Sequence, residues 1–288
     1  MSNATQQFYF NDQVTQLHTT HLQKHGVLHF KQFISSHTVK EFLYEISSVE
    51  KYLLTKRITV VNGIPLKFGN DVNGSQLIQR IAFTSQYSSV LNNFLKSDRV
   101  QQLVKLLAPF EGRIGESEKD GLVVNHYLNA EYSSFTRLGW HTDSPRDLFL
   151  GSRIKPMLNV GLHLDDCPQN NGGLRVLTGT HNKGLFTLFF KKKYFIDHKP
   201  DKKEAGFDIE AGDLTIHDGR LWHRVEQSPY TGEKSRRRVM YIPVVTGAYQ
   251  PKNEKSLTPF YHKLAALVSA RSKRKTVPDY DPQLNPAL

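Results

Sequence analysis

The chain has 288 residues, of which 38% are hydrophobic and 23% charged, with no internal repeat or long low-complexity tract; this excludes a disordered or fibrous protein and leaves length for a substantial core. A formal charge of +11 and a pI near 9.6 point to nucleic acid, an acidic membrane surface or a small anion as partner, without choosing among them. The opening MSNATQQFYFNDQ lacks the basic start and apolar run of a signal peptide, and no apolar stretch approaches the roughly 18 residues of a membrane span, so a soluble, cytoplasmic protein is expected. The single cysteine, Cys167, forbids an internal disulfide and leaves any metal site to histidine and carboxylate.

Gly26 to Ile34 (GVLHFKQFI) reads as a short strand. Ser36 then caps a helix on which Val39, Phe42, Leu43, Ile46 and Leu53 recur at helical spacing. A second helical pattern runs from Ser88 to Leu107, with Val90, Leu91, Phe94, Leu95, Val100, Leu103, Val104 and Leu107 on its apolar side. Residues 1–118 are therefore expected to form helix-rich support. From Gly121 the texture changes to short β-prone runs, LVVNHYL, KPMLNVGLHL, GGLRVL, DLTIHD and RRVMYIPVV, broken by Gly, Pro, Asn and Asp. That spacing suits an antiparallel jelly roll or barrel-like sandwich over residues 119–247. Within it, Leu185 to Asp208 is long, basic and aromatic, and reads as a crossing segment or a lid. Thr258-Pro259 signals a closing helix with Phe260, Leu264 and Leu267 on one side, before a loose tail from Lys273. All of this is read as one catalytic domain, 1–288, with 248–288 as carboxy-terminal helix and tail.

Much of the basic excess sits in three runs: Lys191 to Lys193, Arg236 to Arg238, and Arg271, Lys273, Arg274 and Lys275. Base-stacking aromatics are not evident around them, which disfavours nucleic acid and leaves a solvated surface or an anion-guiding role.

His141-Thr142-Asp143 places two potential ligands two residues apart, and strand alternation points both side chains the same way. A third ligand has to come from a distant strand. His223 in GRLWHRV is the candidate, and His217 competes because both flank the Asp218-Gly219 turn. Two imidazoles and a carboxylate on one triangular side leave the opposite coordination positions open, as non-haem Fe(II) oxygenases need for a chelating co-substrate and O2. His126 and His163 fall on predicted strands, where a packed, hydrogen-bonded histidine is expected.

Four blocks surround this pattern: WHTDSP (140–145), LHLDDCPQNNGGLRVLTGTHNKG (162–184), AGDLTIHDGRLWHRV (211–225) and SRRRVMYIP (235–243). In content and order they resemble the phytanoyl-CoA dioxygenase family of Fe(II)/2-oxoglutarate oxygenases, with the likeness covering most of Gly26 to Val245. The resemblance implies an α+β, mainly β fold: a double-stranded β-helix (jelly roll, cupin-like) core with supporting helices. It implies His141, Asp143 and His223 as iron ligands, with the second histidine after Arg-Leu-Trp rather than at 217, and a structural His181 at the Gly-Thr-His bend. Thr178 departs from the family's usual proline before that bend, which affects loop stiffness more than chemistry.

2-Oxoglutarate carries a second carboxylate that needs a cation, and arginine pairs with it in a bidentate, permanently charged way. Family members place that arginine about a dozen residues after the second metal histidine. The register favours Arg237, with Arg236 and Arg238 facing the other side of the strand. Asn125 and Asn159, on neighbouring strands, are further candidates for co-substrate contact. By resemblance the reaction is hydroxylation of an unactivated C–H with decarboxylation of 2-oxoglutarate to succinate and CO2. Halogenating relatives replace the metal carboxylate with a small residue, so Asp143 argues against that branch. Lys191 to Lys193 and Arg146 make an anionic or acyl-carrier-linked small molecule the expected substrate. Competing readings are zinc-dependent hydrolysis in the same triad, a nucleic-acid demethylase, and a non-catalytic β-sandwich that binds anions or nucleic acid.

Overall fold

The computed structural model describes residues 3–131, 133, 135–144 and 153–259. Arg146, the predicted closing helix with Phe260, Leu264 and Leu267, the 271–275 basic run and the tail lie outside them. In chain order the elements are β1 (Gln7–Tyr9), α1 (Gln16–His25), β2 (Val27–Lys31), α2 (Ser36–Thr55), β3 (Val60–Val61), β4 (Ile64–Pro65), β5 (Lys67–Asn70) and β6 (Gln76–Ile81). There follow α3 (Ser89–Lys96), α4 (Asp98–Gln101), β7 (Arg113–Ile114), β8 (Val123–Tyr127), β9 (Leu138–His141), β10 (Met157–His163) and β11 (Gly173–Val176). The last are α5 (Gly184–Phe190), β12 (Ala205–Gly206), β13 (Leu214–Asp218), β14 (His223–Glu226) and β15 (Arg237–Val245).

The strands from β8 onward are divided between two sheets. One contains β13-β10-β15-β8 as neighbours and the other is β12-β11-β14-β9. These two four-stranded ladders, antiparallel throughout, are the double-stranded β-helix expected from the sequence. The larger sheet extends outward through β2 and β1 on one side and β6 and β5 on the other, with β7 pairing beside β15. The amino-terminal third thus contributes strands to the main sheet as well as helices, a difference from the expected helix-rich support. Strand β5 is a short edge segment carrying Gly69, with little local signal to announce it.

The main sheet has two chemically different faces. Leu28, Phe30, Leu158, Val160, Leu162, Ile216, Met240, Ile242 and Val244 point outward and join one buried cluster with Val39, Phe42, Ile46, Val49 and Leu53 of α2 and Leu91 and Leu95 of α3. Each such side chain contributes about 1.5–3 kcal/mol by leaving water. The alternate residues, His29, Thr215, His217, Asn159, His163, Tyr241, Arg237, Asn125 and Tyr127, point to the interior between the sheets, as their shared register requires. Helix α2 is capped by Ser35, whose hydroxyl accepts from the Thr38 amide, one residue earlier than the predicted cap. The second predicted helix breaks at Ser97, which turns extended; α3, the single turn α4 and a 3-10 stretch over 102–107 replace one continuous helix.

Candidate metal centre

His141 ends β9 and lies directly opposite His223, the first residue of β14. The pairing register shifts between His223 and Val225, an irregularity that sits immediately after the second histidine. Asp143 lies just past the strand in a bend, rather than on the extended strand that alternation implied. The amides of Asp143 and Ser144 both donate to the Gly219 carbonyl, at 2.8 and 2.9 Å, and this bridge brings the carboxylate under the imidazoles. A Cβ at Gly219 would meet Met157 Cγ at 2.5 Å and Ser144 Oγ at 2.8 Å, so any larger residue would have to displace these side chains.

Ligand-capable atoms of His141, Asp143 and His223 all lie within 4.8 Å of one another. The Nδ1 atoms of the two histidines sit 2.8 and 2.9 Å from the carbonyls of Gly139 and Leu221, partners that accept only a proton donor. Each ring therefore carries its proton on Nδ1 and presents the Nε2 lone pair to the shared space. Burial pushes both histidines below their ordinary pKa and keeps them neutral, as ligation requires. Burial acts in the opposite direction on Asp143, but the hydrogen bond it accepts from His217 favours the charged form, and the carboxyl stays below the usual range.

His217 is not one of the three. Its Nε2 lies 3.3 Å from Asp143 Oδ2, and Asn159 donates to the same oxygen at 3.1 Å. Two donors thus hold Oδ2, which also lies 3.9 Å from His223 Nε2, while Oδ1 faces His141 Nε2 at 3.9 Å. His126 is paired with Arg236, His163 with Thr215 and His181 with the Gln23 carbonyl, all away from the triad.

On the same interior face, Arg237 is buried. Its guanidinium donates to the carbonyls of Glu226 and Thr136, at 2.9 and 3.3 Å, and its Nε has no partner. The contrast with other arginines is sharp: Arg80 faces Asp120, Arg175 and Arg224 face Glu226, Arg236 faces Asp71 and Glu233, and Arg238 faces Asp165. Arg237 alone in this set has no carboxylate among the described residues, and a buried cation without one is costly unless an anion arrives. Arg236 and Arg238 are turned to other partners, as strand alternation requires. Tyr127, Tyr241 and Cys167 line a cavity of about 20 Å³ beside Arg237, room for a water molecule; a dicarboxylate entering here displaces side chains. Asn125 donates to the Tyr127 hydroxyl at 3.1 Å and leaves its Oδ1 unpartnered. Tyr241 is hydrogen-bonded to Tyr127 and lies near enough to Asp143 and Arg237 to feel the charge of each.

Two neighbours of the triad escaped the sequence reading. Phe195 stacks on His141, with centroids 4.8 Å apart and planes 27° apart, while remaining half-exposed. Its backbone is left-handed (φ 59°), a strained state for a bulky residue. Hydrogen bonds from Phe195 N to Trp140 O and from Trp140 N to Asp197 O hold it there, laying residues 195–197 along β9. Lys67, on edge strand β5, holds its amine 4.6 Å from the Phe135 ring centroid and is close enough to His141 to affect its charge. The residue reaches solvent, yet crowding by protein desolvates the amine and pushes its pKa down to about 8.

The sequence profile of the family described as phytanoyl-CoA dioxygenase (PhyH) matches residues 22–237. The chain belongs to this family. Iron and 2-oxoglutarate are accordingly the cofactor and co-substrate of this PhyH protein, with O2 as oxidant, and the donor set of two neutral imidazoles and a carboxylate fits iron(II). No curated protein matches the chain by sequence. Solved structures establish the fold. SnoN, a non-haem α-ketoglutarate-dependent epimerase of nogalamycin biosynthesis, is 17% identical with a TM-score of 0.58, over 81% of this chain and 84% of its own. SnoK, a non-haem α-ketoglutarate-dependent carbocyclase of the same biosynthesis, is 14% identical with a TM-score of 0.57, over 84% and 88%. EvdO2 from Micromonospora carbonacea var. aurantiaca, complexed with 2-oxoglutarate, is 16% identical with a TM-score of 0.54, over 84% and 95%. Among the described residues no helix is long and apolar enough to cross a membrane.

Proposed function

We propose that this PhyH protein is a hydroxylase acting on an unactivated C–H of a small anionic or carrier-linked molecule in the cytoplasm, with His141, Asp143 and His223 as the iron ligands and Arg237 as the clamp for the far carboxylate of 2-oxoglutarate. The observation that carries this reading is the buried, carboxylate-free Arg237 on the same interior face as three convergent donors. Iron with 2-oxoglutarate and O2 supplies the power to break a C–H bond, as 2-oxoglutarate loses CO2 to give succinate.

The chain's own residues set the geometry. Gly139 and Leu221 carbonyls fix the imidazole tautomers, and Asn159 and His217 anchor one oxygen of Asp143 so that the other is the ligand. Asn159 serves in this reading as an orienter of Asp143, whereas Asn125, with its free Oδ1 beside Tyr127, remains a candidate for co-substrate contact. Phe195 covers one side of His141 and excludes water there. SnoN and SnoK, an epimerase and a carbocyclase, carry the same fold, so substrate pose decides between hydroxylation and other outcomes.

Lys67 supports an anionic substrate, since its amine near the triad has no ion pair among the described residues. With a pKa of about 8, it is charged below that pH and loses its charge above it. KM for an anionic substrate therefore rises from pH 7 to pH 9 in the wild type, and Lys67→Met flattens that rise; a rise that persists in Lys67→Met removes this residue from the assignment. The sequence-based expectation for Lys191 to Lys193 narrows: Lys192 is held by Asp201 at 2.8 Å and sits over Trp140, which leaves Lys191 and Lys193 exposed.

Anaerobic titration with Fe(II) and 2-oxoglutarate tests the assignment. A weak visible charge-transfer band is expected in the wild type and absent in His141→Ala. No band, with Fe(II) unbound, overturns it.

A further inference from the structure

The segment between β11 and β12, basic and aromatic in sequence, places much of its apolar content on the surface. Leu185, Phe186 and Phe190 are 67%, 79% and 71% exposed, and Ile196 is 70% exposed. The Phe190 ring meets those of Phe186 and Phe189, with centroids 5.2 and 6.3 Å apart. Soluble surfaces scatter single large apolar residues but rarely gather them on one short helix and the turn after it.

The inward side of this segment is already satisfied. Leu188 is buried, Trp222 Nε1 donates to the Thr187 carbonyl at 2.7 Å, and the Tyr194 hydroxyl donates to the Leu188 carbonyl while meeting Thr142 Oγ1 at 2.6 Å. The outward apolar groups are therefore what remains after α5 has docked, and closing over the site would have to break those anchors.

Charge identifies what covers them. Residues 183–203 hold seven lysines (183, 191, 192, 193, 199, 202 and 203) against Asp197 and Asp201, a net +5 of the chain's +11. All seven except Lys192 are exposed. Exposed apolar side chains flanked by lysines along one short segment match an interface with acyl chains below and anionic headgroups around. Leu185 and Ile196 have no ring to stack on a base, which favours lipid over single-stranded nucleic acid.

We propose that α5 and the basic turn after it seat the protein on an anionic lipid bilayer, with Leu185, Phe186 and Phe190 entering the headgroup region and Lys183, Lys191 and Lys193 meeting lipid phosphates. Because Phe195, stacked on His141, belongs to the same segment, this seating sets the entrance of the metal centre at the interface, where amphiphilic molecules concentrate. The surface goes beyond the oxygenase reading and does not depend on chemistry at the triad.

The test uses the full chain and co-sedimentation with vesicles of phosphatidylcholine and phosphatidylglycerol, against vesicles of phosphatidylcholine alone. Binding is expected to the anionic vesicles, to weaken as salt rises, and to fall about tenfold or more in Phe186→Ser/Phe190→Ser. Near-UV circular dichroism of that variant stays at the wild-type signature, since both rings are exposed. In Phe190→Trp the new indole emission shifts to the blue when anionic vesicles are added. Absence of binding to anionic vesicles, binding indifferent to the double serine variant, an indole emission of Phe190→Trp that vesicles leave unshifted, or tighter binding to a single-stranded oligonucleotide than to vesicles each overturns the proposal.

Discussion

Two buried histidine–carboxylate clusters of the β core are finished in opposite ways. At one end, Asp213 receives His29 Nε2 at 2.9 Å, Lys31 Nζ at 2.8 Å, and the amides of Gln32 and Glu210. Every position on that carboxylate is taken by protein, and the cluster ties β2 to β13. At the other end, Asp143 has one oxygen held by Asn159 and His217, while its carboxylate and two imidazole lone pairs converge with no further partner among the described residues. A saturated cluster stabilises the fold. An unsaturated one carries a cost that a cation offsets, which marks it as functional. The arginines repeat the lesson on one strand, where Arg238 is paired with Asp165 and Arg237 has no carboxylate among the described residues.

The largest effect that tests this contrast is at the unsaturated end. Asp143→Ala is expected to weaken Fe(II) binding by roughly a thousandfold or more and abolish 2-oxoglutarate turnover, while costing the metal-free protein less stability than the matching change at Asp213. Iron titration and metal-free thermal melts read both. Asp213→Ala strands His29 in the interior, leaves Lys31 only the exposed Glu210, and is expected to cost about 3–5 kcal/mol in urea unfolding. Burial alone would raise the Asp213 pKa, but its four donors hold it at about 2. That stabilisation is therefore complete above the unfolded carboxyl's pKa near 4 and is lost as pH falls toward 2, by about 2 kcal/mol; an acid-melting curve shared by wild type and Asp213→Asn would refute it. Arg237→Gln is expected to raise the KM for 2-oxoglutarate by roughly 30–100-fold with little change in iron affinity. Smallest is Asn159→Ala, expected to lower iron affinity about tenfold by freeing Asp143 to rotate; an unchanged affinity would return Asn159 to plain strand polarity.

Much of the unsaturated end was legible in the sequence because its members lie in short motifs: His141 and Asp143 two residues apart, His223 after a Gly-containing turn, Arg237 at a strand start. The jelly-roll strands were legible for a similar reason, since period-two patterns and turn residues are local. The saturated cluster was not, because His29 and Asp213 meet across 184 residues and neither position announces the other. Strand β5 was missed likewise, and with it Lys67, since an edge strand of four residues acquires its identity only by pairing with β6. Phe195 belonged to a segment whose basic, aromatic texture was evident, but its left-handed backbone and its seat on His141 depend on hydrogen bonds to Trp140 that no local pattern encodes. His217 was separable from His223 only by family pattern until the register placed them on different strands.

The pairing irregularity just after His223 bears on how this site tolerates sequence drift. Both metal histidines occupy facing positions on one ladder, so removing or inserting a single residue in 138–141 or 223–226 would turn a ligand to the far face of its strand, whereas many point changes nearby would spare it. In a lineage descended from this chain, the lengths of these two stretches should stay constant even where their letters vary, and a change of length there would be an early sign that the oxygenase chemistry has been given up.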